Sequence, residues 1–310
     1  MQMKLSIIIP AFNEEKNITP LHNELLATLI TLNYKYEIIF IDDGSTDSTF
    51  KEILKLKEQD KNIRIIKFKK NFGQTAAWNA GFTLAKGDLI IVMDADLQND
   101  PKDIPLLINK LNEGYDIVSG WRYNRKDNFS KKIFSFFANK LRKLLTGEKI
   151  HDSGCSLKIY KKECLKNLKL YGEMHRYITA ILSWEGYKIG EIKVSHNFRN
   201  TGKTKYSSSR LFKGMMDLLL ILFWQKYSGR PIHIFGLLGF LSALLGFLAG
   251  ITSLYFWFFK NLSFSKTFLP NAAIFFILMG INLLIFGIIA DICLKIYYKD
   301  EEPYLIEKII

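Results

Sequence analysis

The sequence predicts an α/β domain on a mainly parallel sheet, then an amphipathic helix lying on a membrane surface, then a hairpin of two membrane-spanning helices. Three observations carry this. Short β-branched runs alternate with helical patterns over residues 5–119, as in strands buried on both faces by helices. No Asp, Glu, Lys or Arg occurs from Ile232 to Phe259 or from Thr267 to Ala290. Each stretch exceeds the roughly 20 apolar residues that cross about 30 Å of hydrocarbon. Finally, 43 Lys and Arg stand against 30 Asp and Glu, a formal charge of +13, which suits an anionic lipid surface or phosphorylated substrates. Nucleic acid would explain the charge but neither the spans nor the acids described below, so no nucleic-acid partner is expected.

Strands are expected at Leu5–Ile9, Glu37–Ile41, Arg64–Phe68, Leu89–Met93 and Asp116–Ser119. An amphipathic helix is expected over Glu14–Leu29. After the second strand, Asp42-Asp43-Gly44-Ser45-Thr46-Asp47 combines a glycine turn with Ser, Thr and Asp, the side chains that cap a following helix. From about Asn124 to Glu185 the strand–helix rhythm loosens. Lys131–Leu145 is basic and Phe-rich, with Phe134, Phe137, Leu141 and Leu145 on one face if helical. Arg210–Tyr227 mixes Leu and Phe with Lys213, Asp217 and Lys226, too short an apolar core to span, and fits an interfacial helix. An ordinary core-facing helix is the alternative for each. Pro231 then breaks the chain before the first span. The expected organisation is a catalytic domain over 1–206, the interfacial helix over 207–230, spans at about 232–259 and 270–294 within 231–295, and a tail over 296–310.

Met1-Gln2-Met3-Lys4 leads straight into the first strand, so no signal peptide is read there. Arg210, Lys213, Lys226 and Arg230 precede the first span and Lys295 and Lys299 follow the second, against only Lys260 and Lys266 between them. By positive-inside bias this places the N-terminal domain and the tail in the cytoplasm, with the spans in the plasma or inner membrane if the chain is bacterial. Cys155, Cys164 and Cys293 have no metal-like spacing and are expected as free thiols. A homo-oligomer is compatible with the sequence.

The chemistry is expected at three strand ends, where open α/β sheets bind ligands. The loops are Pro10-Ala11-Phe12-Asn13-Glu14, Asp42-Asp43-Gly44-Ser45 and Asp94-Ala95-Asp96-Leu97-Gln98. Asp94 and Asp96, one residue apart, make an oxygen-rich site of the kind Mg²⁺ or Mn²⁺ prefers alongside substrate phosphates. Acids at three strand ends suit a nucleotide sugar. Dinucleotide oxidoreduction fits poorly, because no Gly-x-Gly-x-x-Gly follows the first strand.

With Asn71-Phe72-Gly73, Gly120-Trp121-Arg122-Tyr123 and Arg199-Asn200-Thr201-Gly202-Lys203-Thr204-Lys205-Tyr206, these motifs resemble the family 2 glycosyltransferases of the GT-A fold. The likeness is to the branch of dolichol-phosphate mannose synthases and bacterial polyprenyl-phosphate glycosyltransferases, and it covers almost the whole chain. It implies transfer of a sugar from a UDP-glucose or GDP-mannose type of donor to a polyisoprenyl phosphate, with inversion. By the same resemblance Pro10, Phe12, Glu14 and Asp42 line the nucleotide pocket and Asp94 reaches the nucleotide sugar. Asp96 and Gln98 hold the metal, with Asp94 as a further ligand. Arg122, Lys131 and Ser135 engage the acceptor phosphate, and Arg199 and Lys205 close on the donor pyrophosphate.

The segment His151-Asp152-Ser153-Gly154-Cys155-Ser156-Leu157-Lys158 departs from relatives that place an acid after the Gly and an Arg soon after. Asp152 is therefore the expected catalytic acid–base residue beside Asp96. Glu173-Met174-His175-Arg176 is a second polar cluster, offering His175 as a base or Arg176 as a phosphate contact. A processive polysaccharide synthase would need more spans and a Gln-x-x-Arg-Trp element. A non-catalytic membrane scaffold would not need intact acids at every strand end.

Overall fold

A computed structural model describes residues 3–32, 34–123, 143, 146–166, 168, 170, 172–197, 223 and 231–297. The chain divides into two compact units, Met1–Leu219 and Leu220–Ile310.

The first unit is built on a seven-stranded sheet: β1 (Lys4–Ala11), β2 (Lys35–Asp42), β3 (Ile63–Lys67), β4 (Leu89–Val92), β5 (Ile117–Arg122), β6 (Lys158–Lys161) and β7 (Ile189–Val194). Their order is β3-β2-β1-β4-β6-β5-β7. β1 pairs in parallel with β2 and β4, β2 with β3, and β5 with β7, while β6 runs antiparallel to both β4 and β5. The sheet is thus mainly parallel, as expected, with one reversed strand.

Alternation along the strands feeds two cores, one per face. Ile7, Ile9, Phe40 and Ile91 pack with residues of α1 (Ile18–Thr31), α2 (Thr49–Gln59) and α4 (Ile104–Asn112). Ile8, Ile39, Ile41, Ile90 and Val92 pack with Trp78 and Phe82 of α3 (Gln74–Leu84) and with Ile178 and Leu182 of α5 (Ile178–Trp184). Burial on both sides is why these strands read as unbroken apolar runs.

Element limits differ from expectation where tertiary bonds compete with local pattern. The first helix starts at Ile18, not Glu14, because Glu14 N–H donates to Thr49 Oγ1 (2.8 Å) and Glu15 N–H to Asp47 Oδ2 (3.3 Å). β5 runs on to Arg122, three residues past the expected Ser119, through register with β7.

In the second unit α6 (Pro231–Lys260) and α7 (Leu269–Tyr297) cover both expected spans, and each is long and apolar enough to cross a membrane. Pro231 is the first described residue of α6. The helices meet on small residues: a Cβ on Gly280 would stand 2.6 Å from Gly239 O, and one on Gly246 would stand 2.8 Å from Ala273 O. Ser242 Oγ donates to Phe276 O at 2.8 Å. Large side chains such as Phe240, Phe247, Phe275 and Phe286 stay exposed, the arrangement of helices that pack in lipid through small residues. The interfacial segment expected over 207–230 lies outside the described residues but for Phe223, and the tail lies outside them beyond Tyr297.

Candidate active site

The loops after β1 and β2 are zipped together. Asn13, at φ 57°, a left-handed conformation that Asn tolerates, donates its N–H to Ser45 Oγ (3.0 Å) and accepts from Thr46 N–H (2.8 Å). Ser48 N–H donates to Glu15 Oε2 at 2.9 Å. Gly44 permits the β3 loop to lie on this turn, since a Cβ there, at φ 71°, would stand 2.7 Å from Asn71 N. Asp43 grips that neighbour, accepting from Phe72 N–H (2.7 Å) and Gly73 N–H (2.9 Å). Asp42 differs: Oδ1 accepts from Ser45 N–H at 2.9 Å, while Oδ2 is buried without a partner among the described residues. A buried carboxylate oxygen in that state costs free energy unless a ligand donates to it. Of the other expected nucleotide residues, Pro10 is the second-last residue of β1, beside Ile41, Phe12 is half-buried, and Glu14 accepts from Asn17 Nδ2 at 2.5 Å.

β4 delivers Asp94 and Asp96. Leu97 between Asp96 and Gln98 sits at φ 61°, a strained conformation for a branched side chain and one found where geometry is fixed for function. Gln98 N–H donates to Asp96 Oδ1 (3.2 Å) and Gln98 O accepts from Asn197 N–H (3.0 Å). Asp94 Oδ1 accepts from Gln74 Nε2 at 2.7 Å. Burial, and then the charge of Asp96, push the Asp94 carboxyl up to about 6, against the opposing pull of a Ser156 hydrogen bond, Arg122 and Lys158. Two hard carboxylates that repel each other, with an amide oxygen two residues on, fit a divalent cation that would relieve that repulsion. Among the described residues no group of three His, Cys, Asp or Glu forms a closed cage, so such an ion would complete its shell from Gln98, water or substrate phosphate.

Arg122, at the end of β5, is clamped by Asp152: Nε donates to Oδ2 (2.7 Å), Nη2 to Oδ1 (2.9 Å) and the backbone N–H to Oδ2 (3.3 Å). Glu191 of β7 holds this loop from behind, accepting from His151 N–H (2.8 Å) and Asp152 N–H (2.9 Å). The Cys155 thiol is pushed up to about 11 by burial, which leaves it inert as a base at neutral pH. Lys131, Ser135, Arg199 and Lys205 lie outside the described residues.

The model of glycosyl transferase family 2 matches residues 6–169. The chain belongs to this family. It is 40% identical to the dodecaprenyl-phosphate galacturonate synthase of Rhizobium johnstonii, over 99% of this chain and 93% of that one. It is 32% identical to the undecaprenyl-phosphate 4-deoxy-4-formamido-L-arabinose transferase of Photorhabdus laumondii, over 99% and 94%. Among solved structures, the glucosyl-3-phosphoglycerate synthase of Mycobacterium tuberculosis, crystallised with Mn²⁺, UDP-glucose and phosphoglyceric acid, superposes with TM-score 0.55 at 18% identity. That match covers 72% of this chain and 79% of the other, and at that identity the likeness establishes the GT-A fold.

The candidate site also holds residues to which the sequence assigned no role. Gln74 opens α3 and reaches Asp94; Asn99 donates to Ser156 Oγ at 2.7 Å; Lys158 lies beneath the loop that carries Asp152. Gln74 and Asn99 lie 20 and 57 residues from their partners, and only the position of Gln74, directly after a glycine at a helix start, was a signal. His175 hydrogen-bonds Thr75 Oγ1 at 2.6 Å and its ring meets Trp78 edge-on at 5.7 Å, while Arg176 pairs with Glu173 at 3.0 Å. Both members of that second cluster are thus engaged within the protein.

Proposed function

We propose that this family 2 glycosyltransferase moves a sugar from a nucleoside-diphosphate donor to a polyisoprenyl phosphate at a membrane, with inversion at the anomeric carbon. The supporting observation is Asp94, close enough to both Asp96 and Arg122 for their charges to act on it in opposite directions. This supports reading the acids as the donor side and Arg122 as the acceptor side of one site. The relatives named above act on polyprenyl phosphates by name, which favours that acceptor class here.

Asp42 Oδ2 would accept from the nucleotide base or ribose, beside Pro10, Phe12 and Glu14. Asp96, Gln98 and Asp94 would hold Mg²⁺ or Mn²⁺, which neutralises pyrophosphate charge when bound. A phosphate monoester, with its second pKa near 6, is already mostly a dianion at neutral pH. Its oxygen attacks the anomeric carbon as the bond to the pyrophosphate breaks, giving polyprenyl-phosphate sugar and nucleoside diphosphate without removal of a proton. Positioning therefore matters more than base strength. Arg122 supplies a planar fork for the phosphate, with Lys131 and Ser135 on the same acceptor. Asp152 serves better as the carboxylate that aims Arg122 than as a base, since taking up a proton would cost it a bidentate ion pair. Arg199 and Lys205 would close on the donor pyrophosphate. The catalytic domain and the tail would face the cytoplasm.

The test is incubation of membranes containing the chain with polyprenyl phosphate and radiolabelled UDP-glucose, UDP-galacturonic acid or GDP-mannose, followed by lipid extraction. Label in the lipid phase from one donor is the expected result. No transfer from any of them, with Mg²⁺ and Mn²⁺ present, would overturn the acceptor assignment.

A further inference from the structure

Lys158 is the first residue of β6, 2% exposed and paired across the sheet with Val92 of β4 and Ser119 of β5. Those two strands run on to Asp94 and Arg122. A buried ammonium is expensive unless its hydrogens are placed. Here Nζ donates to Ser153 O at 3.0 Å and to Cys155 O at close range, and it lies 5.8 Å from the centre of the Trp78 ring. Both carbonyls belong to the loop between Asp152 and Leu157. One end of that loop supplies the carboxylate that clamps Arg122, and the other supplies Ser156, which accepts from Asn99 Nδ2 and whose side chain favours the charged form of Asp94. An apolar side chain of similar volume would fill the space at lower desolvation cost, but it would leave two buried carbonyls without a donor.

We propose that Lys158 is a positioning residue of the transfer reaction. By tying the Ser153 and Cys155 carbonyls it holds one loop in register, so that Asp152 aims Arg122 at the acceptor phosphate while Ser156 fixes Asp94 at the donor sugar. This rests on the transfer reading above and adds a residue to it that touches neither substrate. Its charge acts on Asp152, Arg122, Asp94 and Cys155 alike, and burial lowers its own pKa from the usual lysine range to about 8.

The experiment compares purified full-length wild type, Lys158→Met and Lys158→Arg in lipid nanodiscs. It measures kcat and KM for polyprenyl phosphate, binding of UDP and of GDP by calorimetry, and Tm. Lys158→Met should lose about 10- to 150-fold in kcat/KM for the acceptor, the scale of hydrogen bonds to a charged group. Nucleotide binding should be unchanged and Tm within a few degrees of wild type. Lys158→Arg, which keeps charge and donors, should recover at least part of the loss. Wild-type kinetics in Lys158→Met would overturn the proposal, and so would a loss of nucleotide binding in step with activity. If Lys158→Met does not fold, Ser156→Ala decides, because it cuts the loop's bond to Asn99 and its pull on Asp94 and leaves the buried charge alone. A lowered kcat with unchanged nucleotide binding supports the proposal, and wild-type kinetics reject it. Absence of lipid-linked product from the wild type is a separate result and counts against the transfer reading instead.

Discussion

Asp42 and Asp43 are adjacent, acidic and buried, yet they do different work. Asp43 spends both oxygens on Phe72 and Gly73 N–H groups, so Asp43→Ala should destabilise the fold by about 1.5–3 kcal/mol, read as a lowered urea midpoint. Asp42→Asn should instead weaken nucleotide binding in calorimetry with little change in that midpoint; equal effects from both variants would erase the distinction. Asp94 carries a pH signature. Its carboxyl is raised from the ordinary 3.8 to about 6, so between those values the folded chain binds more protons than the unfolded one. Its stabilising contribution is complete below about pH 4 and is lost as pH rises through 6. Above pH 6 a divalent cation should restore stability. Mn²⁺ at pH 7 is expected to raise Tm, and Asp96→Ala to abolish both that rise and sugar transfer; an unchanged rise in Asp96→Ala would remove the acids from the metal site. Arg122→Ala is expected to lower acceptor kcat/KM by about 10- to 150-fold while leaving nucleotide affinity intact. A parallel loss of nucleotide affinity would reject its phosphate role.

Among elements, the α6–α7 hairpin rests on backbone approach at Gly239 and Gly280. Gly280→Leu should force the helices apart, lowering Tm in detergent by several degrees, whereas Ile281→Leu on an exposed position should leave it unchanged; no difference between the two would contradict the packing. The elements that the sequence made legible share one property. β1, β2 and β4 centre on apolar runs and needed no partner to be recognised. β6 was missed because its four residues, Lys158-Ile159-Tyr160-Lys161, begin and end in lysine, and a buried lysine reads as surface until its acceptors are known. β7 was missed because Glu191 and Lys193 break its apolar pattern on the edge of the sheet. That Asp42, Asp94 and Asp96 stand at strand ends was legible too. Gln74 and Asn99 were not, because their partners lie 20 and 57 residues away, and no local pattern encodes such a bond.

At the scale of the molecule, a basic two-unit chain with a lipid-adapted hairpin fits a reaction whose acceptor is anchored in a bilayer. Membership of family 2 and near full-length similarity to polyprenyl-phosphate enzymes point the same way. If the proposed topology holds, Lys260–Leu269 lies outside and both termini inside. Cysteines placed at Ser263 and Ser265, in a background lacking Cys155, Cys164 and Cys293, should react with an impermeant maleimide added to intact cells; reaction only after the membrane is opened would reverse the orientation. The strand order has a further consequence, for synthesis. β3, β2, β1 and β4 are neighbours and come from residues 4–92, so this half of the sheet leaves the ribosome first. The second edge of β4 must wait for β6, which begins at Lys158, a delay of roughly 3–13 s at about 5–20 residues per second. Until then β4 presents open hydrogen-bonding groups on an apolar strand, a template for mispairing. The reversed strand that carries Lys158 is also the one that closes this edge, which makes β4 a place where a nascent chain of this enzyme is exposed to mispairing.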